Sequence, residues 1–313
     1  MKTEILNVLC ATDEKYAPYC GVMLTSFLEN HKAFHTEVYI IVKSRLKAEK
    51  RLKRLEVRYD VKVNFIEFPY NDILEPYYSN PRWSIETYYR IFAETLLPIH
   101  LDRVLYLDCD IIVDGEVCEL FSMELEGVSA MVVTDAPTHV HYSHPCRLGY
   151  PEEKGYFNAG VMMINLSYWR EHGILSKCLN YLREYYRKLE FCDQDLLNVI
   201  LLDSKKHISV MYNFQEDLLY HEYFELYDEE LKMVVLQQRP KIIHYTGYKP
   251  WSVYGYGRPL YALWQRYKRR SMWWYLTNRL PKEKPFNYFI KRYFLWPFGI
   301  YLHKKEVIIT TWM

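Results

Sequence analysis

The stretch VLYLDCDIIV, residues 104–113, places two carboxylates in the middle of an apolar run. An unpaired buried charge costs several kcal/mol, so Asp108 and Asp110 need a partner that offsets their charge. Residues two apart on a strand face the same way, about 6.6 Å apart along the backbone. A slight turn at the strand end would let both carboxylates reach one divalent cation, either directly or with one of them acting through water. Such tripeptides are common on solvated loops, but the apolar flanks favour a buried metal site.

Length and cysteine content narrow the class of protein. A chain of 313 residues is long enough for one large domain or two smaller ones. Its seven cysteines are scattered without a CxxC pair, which argues against a disulfide scaffold and a structural zinc site and favours a reducing cytosol. No apolar run is long enough for a signal peptide or reaches the ~18 residues of a membrane span. We therefore expect a cytoplasmic protein, soluble or peripheral at the inner face of the cell membrane.

The net charge of +1 is unevenly distributed along the chain. Between residues 264 and 305, eleven Lys or Arg residues accompany a single acid, so this segment carries about +10 and the rest about −9. We predict a catalytic domain over residues 1–255 and a basic, aromatic and helical extension over residues 256–313. Basic residues interleaved with Trp, Phe and Tyr suit an anionic membrane surface. An ordinary helix that closes the domain is the alternative, and no recognised nucleic-acid module is present, so nucleic acid is not expected as a partner.

The first 136 residues alternate short strands with helices. The pattern predicts strands at residues 5–11, 36–42, 61–68, 103–113 and 128–136, and helices at residues 17–31, 44–59 and 84–97. This order indicates an α/β fold with a mostly parallel central sheet flanked by helices. Ligands of such sheets bind at the carboxyl ends of the strands. Three of the predicted strands end in carboxylates, at Asp13, at the Asp108 and Asp110 pair, and at Asp135.

Glycine is scarce near the first strand, since none occurs before Gly21. A dinucleotide-binding protein would need a GxGxxG turn at this point, so that backbone amides could hold a pyrophosphate. Without those amides, a phosphate-binding member of this fold class needs positive charge from elsewhere. A metal ion held by the carboxylates is the expected source.

A second motif, KIIHYTGYK over residues 241–249, combines a short strand with a turn that carries His244, Gly247 and Lys249. An imidazole that joins two carboxylates favours Mn²⁺ over Mg²⁺, which prefers an all-oxygen shell. Lys249 near the same metal would act on a phosphate as a point charge. The alternative is a satisfied core histidine followed by a plain turn.

Two further motifs contribute polar side chains. The stretch YFNAGVMM, from residue 156, begins a strand with Asn158, Ala159 and Gly160, where small residues allow close approach to the backbone. A plain start of a strand is the alternative. The stretch FCDQDLLN, from residue 191, begins a helix, with Asp193 at the predicted cap and Gln194 at the positive end of the helix.

These four motifs, in their order along the chain, resemble those of the family 8 retaining glycosyltransferases of the GT-A fold, and the resemblance covers residues 5–251. The resemblance implies a hexosyltransferase that moves galactose or glucose from a UDP-sugar to a saccharide acceptor, such as a cell-surface glycan or glycolipid. A tail on the membrane would bring it near a lipid-linked acceptor. Mn²⁺ is the implied cofactor, with Mg²⁺ as the alternative, and Asp108, Asp110 and His244 are the implied ligands.

The resemblance also implies which residues line the donor. Asp13 and Tyr16 match the positions that bind uracil, and Gly247 with Lys249 match the diphosphate clamp. The other implied donor-binding residues are Ala11, Arg90, Asp108, Cys109, Asp110, Asp135, Asn158, Ala159, Asp193 and Gln194. The implied catalytic residues are Gln194, Asp193 and Lys249. Retention would follow either from front-face attack or from a short-lived glycosyl-enzyme at Gln194 or Asp193.

Two other functions use similar residues. A phosphohydrolase of the haloacid dehalogenase type also has Asp-x-Asp at a strand end, but it normally continues with Gly-Thr where this chain has Ile111 and Ile112. A catalytically inactive sugar-nucleotide-binding protein would be expected to have lost a metal ligand, and all three are present.

The segment between Asp135 and Tyr156 carries three histidines, His139, His141 and His144. Their spacing fits no standard zinc site and no cysteine pair flanks them. We interpret this segment as a mobile lid over donor and acceptor, with a second metal site as the alternative.

Overall fold

The computed structural model describes residues 5–77, 84–136, 143–252, 255, 258–276, 308 and 310–312. Within these residues the strands are β1 (Leu6–Ala11), β2 (Thr36–Val42), β3 (Lys62–Glu67), β4 (Arg103–Leu107), β5 (Ile111–Val113), β6 (Ala130–Thr134), β7 (Phe157–Asn165), β8 (Lys205–His207), β9 (Phe214–Gln215) and β10 (Ile242–His244). The α-helices are α1 (Ala17–Asn30), α2 (Glu49–Leu52), α3 (Arg54–Tyr59), α4 (Asn71–Leu74), α5 (Ala93–Leu96), α6 (Glu119–Ser122), α7 (Ser143–Leu148), α8 (Leu166–His172), α9 (Ile174–Tyr185), α10 (Cys192–Ile200), α11 (His221–Phe224), α12 (Glu229–Gln237) and α13 (Tyr261–Arg270). Short 3-10 helices cover Glu75–Tyr77, Ile85–Phe92, Glu152–Lys154, Tyr186–Lys188, Val210–Tyr212 and Glu216–Leu219.

Seven strands form the central sheet in the order β3-β2-β1-β4-β7-β6-β8. Four of its six neighbouring pairs are parallel, and only β7 runs antiparallel to its neighbours β4 and β6. The predicted α/β fold with a mostly parallel sheet is therefore confirmed. A smaller sheet has the order β5-β10-β9, with β10 antiparallel to β5 and parallel to β9.

The two faces of the central sheet are covered by different elements because side chains alternate along each strand. Val8 and Cys10 of β1 pack with α1 and the small sheet, whereas Leu9 packs with the 3-10 helix Ile85–Phe92 and with α8, α9 and α10. β2 and β4 alternate in the same way. Helices thus flank both faces, as predicted.

One predicted strand is wrong, because residues 103–113 form two strands in two sheets. β4 belongs to the central sheet and β5 to the small one. The backbone N–H of Asp108 donates to Gly160 O at 2.9 Å in the first sheet, and Asp110 O accepts from Tyr245 N at 3.0 Å in the second. The backbone therefore changes its partner sheet between the two carboxylates, which no local pattern reveals.

Two predicted helices also differ from the structure. Residues 44–59 form only the short helices α2 and α3. The turn before α2 is not helical, and Glu14 holds it by accepting from Lys47 N at 2.7 Å. Residues 84–97 are mostly 3-10 helix, with α5 as their only α-helical turn. Aromatic and β-branched residues of low helix propensity dominate that segment, so its packing decides its conformation.

The described part of the C-terminal segment packs against the N-terminal half of the chain. α13 contacts α1, and Trp264 and Trp273 are buried. A Cβ added at Gly21 of α1 would lie 1.8 Å from the Trp273 ring, so this contact requires glycine. Trp312 Nε1 donates to Val235 O at 2.9 Å. Of the predicted helical extension over residues 256–313, α13 is described and residues 277–307 lie outside the described residues. Among those described, no helix is long and apolar enough to cross a membrane.

Candidate functional site

Asp108, Asp110 and His244 form what we call the metal-ligand cluster. One ligand atom from each lies within 4.8 Å of the others, so one cation can contact all three. The two aspartates lie in the joint between β4 and β5, and His244 is the last residue of β10 beside them. Among the described residues no other group of three such side chains converges in this way.

The orientation of the His244 ring is fixed by a hydrogen bond between its Nδ1 and Asn213. Its Nδ1 lies 3.0 Å from Asn213 Oδ1, and Asn213 Nδ2 donates to Asn158 Oδ1 at 3.0 Å. Since the amide oxygen of Asn213 faces the imidazole, Nδ1 carries the proton and donates. Nε2 then presents its lone pair towards Asp110, whose Oδ1 is 3.2 Å away. A second-shell donor bond of this kind is typical of metal-binding histidines.

Gly160 on β7 leaves the room that the cluster needs. A Cβ at this position would lie 2.2 Å from His244 Cε1 and 2.9 Å from Asp108 Oδ2. Only glycine lets the backbone pass this closely. Two carboxylates and one imidazole, with room beside them, fit a borderline divalent cation such as Mn²⁺.

Lys249 contacts the cluster directly. Its Nζ donates to Asp110 Oδ2, to Tyr245 O at 2.8 Å and to Thr246 O at 3.1 Å. Burial by itself would raise the pKa of Asp110, but the charge of Lys249 and the contact with His244 outweigh it and hold that pKa well below its usual range. Asp110 is therefore held in its ionised form, which is the form that binds a metal ion.

Arg90 forms ion pairs with Asp108 and Asp193. It is almost fully buried, its Nη2 donates to Asp108 Oδ1 at 2.9 Å, and its Nη1 donates to Ala159 O. Its Nε lies 2.9 Å from Asp193 Oδ2, and its guanidinium lies 4.1 Å from the centre of the Tyr106 ring. Arg90 thus holds two of the predicted acidic residues in fixed positions.

Asp135, Asn158 and Gln194 form what we call the amide pocket. Asn158 Nδ2 donates to Asp135 Oδ1 at 2.9 Å, and Gln194 Oε1 accepts from Ala159 N at 3.1 Å. Burial raises the pKa of Asp135 to about 6, although the hydrogen bond from Asn158 acts to lower it. Amides next to a carboxylate of this kind can donate to and accept from neutral hydroxyl groups.

Asp193 was predicted to cap its helix, and this prediction is wrong. α10 begins at Cys192, and Asp193 lies inside the first turn, where it pairs with Arg90. Asp195 instead accepts from the backbone N–H groups of Glu190 and Phe191, at 2.7 and 2.9 Å. Burial raises the pKa of Asp193 to about 6, and the nearby Arg90 opposes that shift.

Asp195 is a supporting residue that the sequence analysis did not assign to the site. It is fully buried and accepts from Tyr156 OH at 2.7 Å and from Arg147 Nη2 at 2.8 Å. The Tyr156 hydroxyl accepts in turn from Gln194 Nε2 at 3.2 Å. Asp195 therefore orients Gln194 through Tyr156, and its only signal in the sequence is its place beside Gln194 in the motif FCDQDLLN.

The residues matched to uracil binding line the end of β1. Asp13 Oδ1 accepts from Tyr16 N at 2.6 Å and so closes the turn before α1. The ring of Tyr16 lies 6.0 Å from that of Trp251, which stacks on Tyr19 at 3.7 Å. These rings form an aromatic wall beside the metal-ligand cluster.

Ala11 and Cys109 lie next to each other at the bottom of this region, because Cys109 Sγ donates to Ala11 O at 3.3 Å. A hydrogen bond with Cys20 and burial raise the pKa of the Cys109 thiol. The thiol thus points into the core, and only the backbone of Cys109 is available to a ligand.

The predicted lid is described only in part. His139 and His141 lie outside the described residues, whereas His144 stacks on Tyr156 with the ring centres 4.6 Å apart. His144 is therefore part of the packing around the amide pocket.

Comparison with known proteins agrees with this geometry. The model of glycosyl transferase family 8 matches residues 7–254. The chain is 30% identical over 254 residues to the lipopolysaccharide 1,2-glucosyltransferase of Escherichia coli (strain K12), over 80% of this chain and 73% of that protein. It is 28% identical over 278 residues to the lipopolysaccharide 1,3-galactosyltransferase of Salmonella typhimurium, over 85% of this chain and 79% of that protein.

Among solved structures, the galactosyltransferase LgtC in complex with donor and acceptor sugar analogs aligns with a TM-score of 0.76 at 22% identity. The alignment covers 89% of this chain and 98% of LgtC, and it shows that the fold is GT-A. Because the family model spans most of the sequence and the fold agrees, the chain belongs to glycosyl transferase family 8 and is a glycosyltransferase.

Proposed function

We propose that this protein is a metal-dependent retaining hexosyltransferase that moves galactose or glucose from a UDP-sugar to a saccharide acceptor of a cell-surface glycan or glycolipid. The observation that carries the proposal is the metal-ligand cluster of Asp108, Asp110 and His244, with Lys249 in contact with it. The relatives named above, which act on lipopolysaccharide, support a cell-surface acceptor. Family membership removes the phosphohydrolase alternative.

The metal-ligand cluster would hold Mn²⁺, which when bound neutralises charge on the diphosphate as a Lewis acid. In the reaction, the bond from the anomeric carbon to the β-phosphate oxygen breaks and the acceptor hydroxyl oxygen bonds to the same carbon. The hydroxyl proton leaves with the UDP or passes to water. Lys249 supplies a positive charge beside the departing diphosphate, where electrostatic stabilisation is usually the largest contribution.

The amide pocket supports the sugar-binding part of the proposal. Asp135, Asn158 and Gln194 offer both donors and acceptors to sugar hydroxyls. Gln194 is more exposed than Asp193, which is buried against Arg90. We therefore assign Gln194 as the residue that faces the anomeric carbon and Asp193 as its electrostatic neighbour, for front-face attack and for the glycosyl-enzyme route alike.

A direct test is UDP release from UDP-galactose and UDP-glucose, measured with Mn²⁺ and with EDTA. We expect release with one of the two donors in Mn²⁺ and a return to background in EDTA. An inactive binding protein would bind UDP and release none from either sugar nucleotide. Absence of both binding and release with all donors would contradict the proposal.

For the location of the protein, we propose a cytoplasmic enzyme that is peripheral to an anionic membrane. Residues 277–307 lie outside the described residues, but a second basic segment contacts the described residues 268–275. Arg58 Nη1 of α3 donates to Arg270 O at 2.7 Å, and Arg51 lies over the rings of Trp273 and Tyr275 at 5.9 and 5.2 Å. Helices α2 and α3 thus form one surface with residues 268–275.

This surface, which we call the basic face, combines positive charge with exposed apolar groups. Val57, Trp274 and Tyr275 are 92%, 66% and 46% exposed. The exposed basic residues around them are Lys50, Arg54, Arg58, Arg269 and Arg270. Cations flanking amphipathic rings suit the interface of a bilayer with anionic lipids.

Vesicle binding tests the basic face. Deletion from residue 264 would remove the buried Trp264 and Trp273, so charge reversal is the better perturbation. We expect Lys50→Glu with Arg54→Glu to lower sedimentation with anionic vesicles, with no change for neutral vesicles. The matched control is Lys177→Glu with Arg183→Glu on α9, which packs on the opposite sheet face. Equal loss in both double variants would contradict the assignment of this face.

A further inference from the structure

A buried ion pair lies directly behind the turn that carries Lys249. Arg258 Nε donates to Glu216 Oε2, and the two side chains are 7% and 0% exposed. Burial of two charges costs several kcal/mol per ion before their attraction is counted. A buried pair is therefore weak evidence for stability, and a role in fixing local geometry has to be judged from its contacts. Neither residue stands out in the sequence.

The described residues of the segment from 255 to 260 lie along the outside of the turn at residues 245–250. Tyr245 OH donates to Leu260 O at 2.8 Å, and Leu260 N donates to Glu216 Oε1 at 3.0 Å. A Cβ at Gly255 would lie 2.6 Å from Lys249 O, which shows how closely the two backbones approach. The turn is thus supported at both of its ends by this segment.

Arg258 supports the middle of the turn. A Cβ at Gly247 would lie 3.2 Å from Arg258 Nη1, so the guanidinium lies against the Gly247 backbone. Arg258 Nη2 also lies 3.4 Å from Asp217 Oδ1, and Asp217 Oδ2 accepts from Thr246 Oγ1 at 3.4 Å. Two acids therefore surround the guanidinium, and its charge is offset within the protein rather than offered to a ligand.

We propose that Arg258 is a positioning residue for the diphosphate-binding turn, which it holds at the depth from which Lys249 reaches the donor phosphates. This inference rests on the proposed function, because it assumes a UDP-sugar at the site. It also means that the catalytic unit extends beyond the chemical boundary at residue 255, since the turn depends on Arg258 and Leu260. The planar fork of arginine is needed, because lysine cannot contact Glu216, Asp217 and the Gly247 backbone together.

The loss of Arg258 is expected to affect only binding of the terminal phosphate of UDP. Uridine and the first phosphate would contact the end of β1 and the metal-ligand cluster, which Arg258 does not touch. The terminal phosphate of UDP would contact Lys249, whose position depends on Arg258. Loss of Arg258 therefore lowers affinity for UDP and leaves affinity for UMP nearly unchanged.

The experiment compares UDP and UMP binding, in Mn²⁺, to the full-length wild-type protein and to Arg258→Lys and Arg258→Ala. We expect UDP affinity to fall by about 10- to 100-fold, the range for residues that orient a binding group from behind, and UMP affinity to stay within about twofold. Arg266→Ala is the matched control, because Arg266 also belongs to the C-terminal segment and pairs with an acid, Asp114, away from the turn. It should leave both affinities unchanged.

Two outcomes would overturn the inference. One is an unchanged ratio of UDP to UMP affinity in a folded Arg258 variant, and the other is an equal fall in both affinities, which indicates a merely structural role. If neither Arg258 variant folds, Glu216→Gln repeats the comparison from the other side of the pair, with the same two outcomes. Failure of the wild-type protein to bind either nucleotide would instead contradict the proposed function itself.

Discussion

The metal-ligand cluster and the amide pocket treat buried carboxylates in opposite ways. Asp110 contacts the charged Lys249 and His244, and these contacts keep its pKa well below the usual range. Asp135 has an amide neighbour, Asn158, and burial raises its pKa to about 6. The first arrangement suits a cation and a diphosphate, whereas the second suits neutral hydroxyls. Under the proposed function, one site would thus separate the recognition of charge from the recognition of sugar.

The largest effect is expected from a substitution that removes a negative charge from the metal-ligand cluster. Asp110→Asn keeps the shape of the side chain but removes a negative charge from the metal-ligand cluster. Metal stabilisation of a leaving group is worth several kcal/mol, or about 10²- to 10⁴-fold in rate. We expect kcat/KM for the donor to fall by about that factor at saturating Mn²⁺.

The control for this prediction is Asp203→Asn, which removes an exposed carboxylate that pairs with Lys154 far from the cluster. It should retain the wild-type kcat/KM. A rate near wild type in Asp110→Asn would mean that Asp110 is not a metal ligand.

A smaller effect is expected at Asn213, which forms hydrogen bonds both to the metal-ligand cluster and to the amide pocket. Asn213→Ala removes the hydrogen bonds to His244 Nδ1 and to Asn158 Oδ1. We expect Mn²⁺ affinity, measured by titration of the apoprotein, to fall by about 10- to 100-fold. Asn180→Ala, which changes an exposed amide on α9, is the control. Unchanged Mn²⁺ affinity in Asn213→Ala would show that His244 is oriented without it.

The smallest effect concerns the free energy of unfolding and tests the contrast between the raised pKa of Asp135 and the lowered pKa of Asp110. Because the folded pKa of Asp135, about 6, lies above its ordinary value of 3.8, the folded state binds a proton more tightly than the unfolded state. Asp135 therefore favours folding below about pH 4, and its contribution is lost as pH rises towards 6. Asp193 acts in the same direction.

We therefore expect Asp135→Asn to raise the free energy of unfolding at pH 7.5 relative to wild type. A shift of one pKa unit corresponds to about 1.4 kcal/mol, so the gain is at most roughly 3 kcal/mol. Urea unfolding of the metal-free protein at pH 4.5 and 7.5 measures it, with wild type as the reference. A variant that loses stability at pH 7.5 would show that the ionised carboxylate is favoured in the fold.

Much of the architecture could be predicted from local patterns. Alternating strands and helices gave the mostly parallel sheet, because each strand buries both faces and each helix one. The rule that carboxyl ends of parallel strands converge on one edge accounts for the aspartates that follow β1, β4 and β6. It does not account for Asn158 at the start of the antiparallel β7 or for His244 in the small sheet. Wrong boundaries arose where distant contacts decide the backbone, as at residues 85–92 and at the joint between β4 and β5.

The supporting residues escaped prediction for the same reason. Asn213, Glu216 and Arg258 carry ordinary polar side chains whose side-chain partners include residues 31, 42 and 55 positions away in the sequence. Nothing in their local pattern distinguishes them from solvated residues.

The sequence by itself determined the type of fold and the types of side chain that the candidate site can use, because periodicity and residue type are local properties of the chain. The tertiary structure alone decided that Asp108 and Asp110 lie in a joint between two sheets, that Cys109 points into the core, and that Gly160 makes room for His244. It also decided that Arg258 lies behind the turn of Lys249. These arrangements depend on packing between segments distant in the chain, where steric contact and the compensation of buried charge choose one geometry among those the sequence allows.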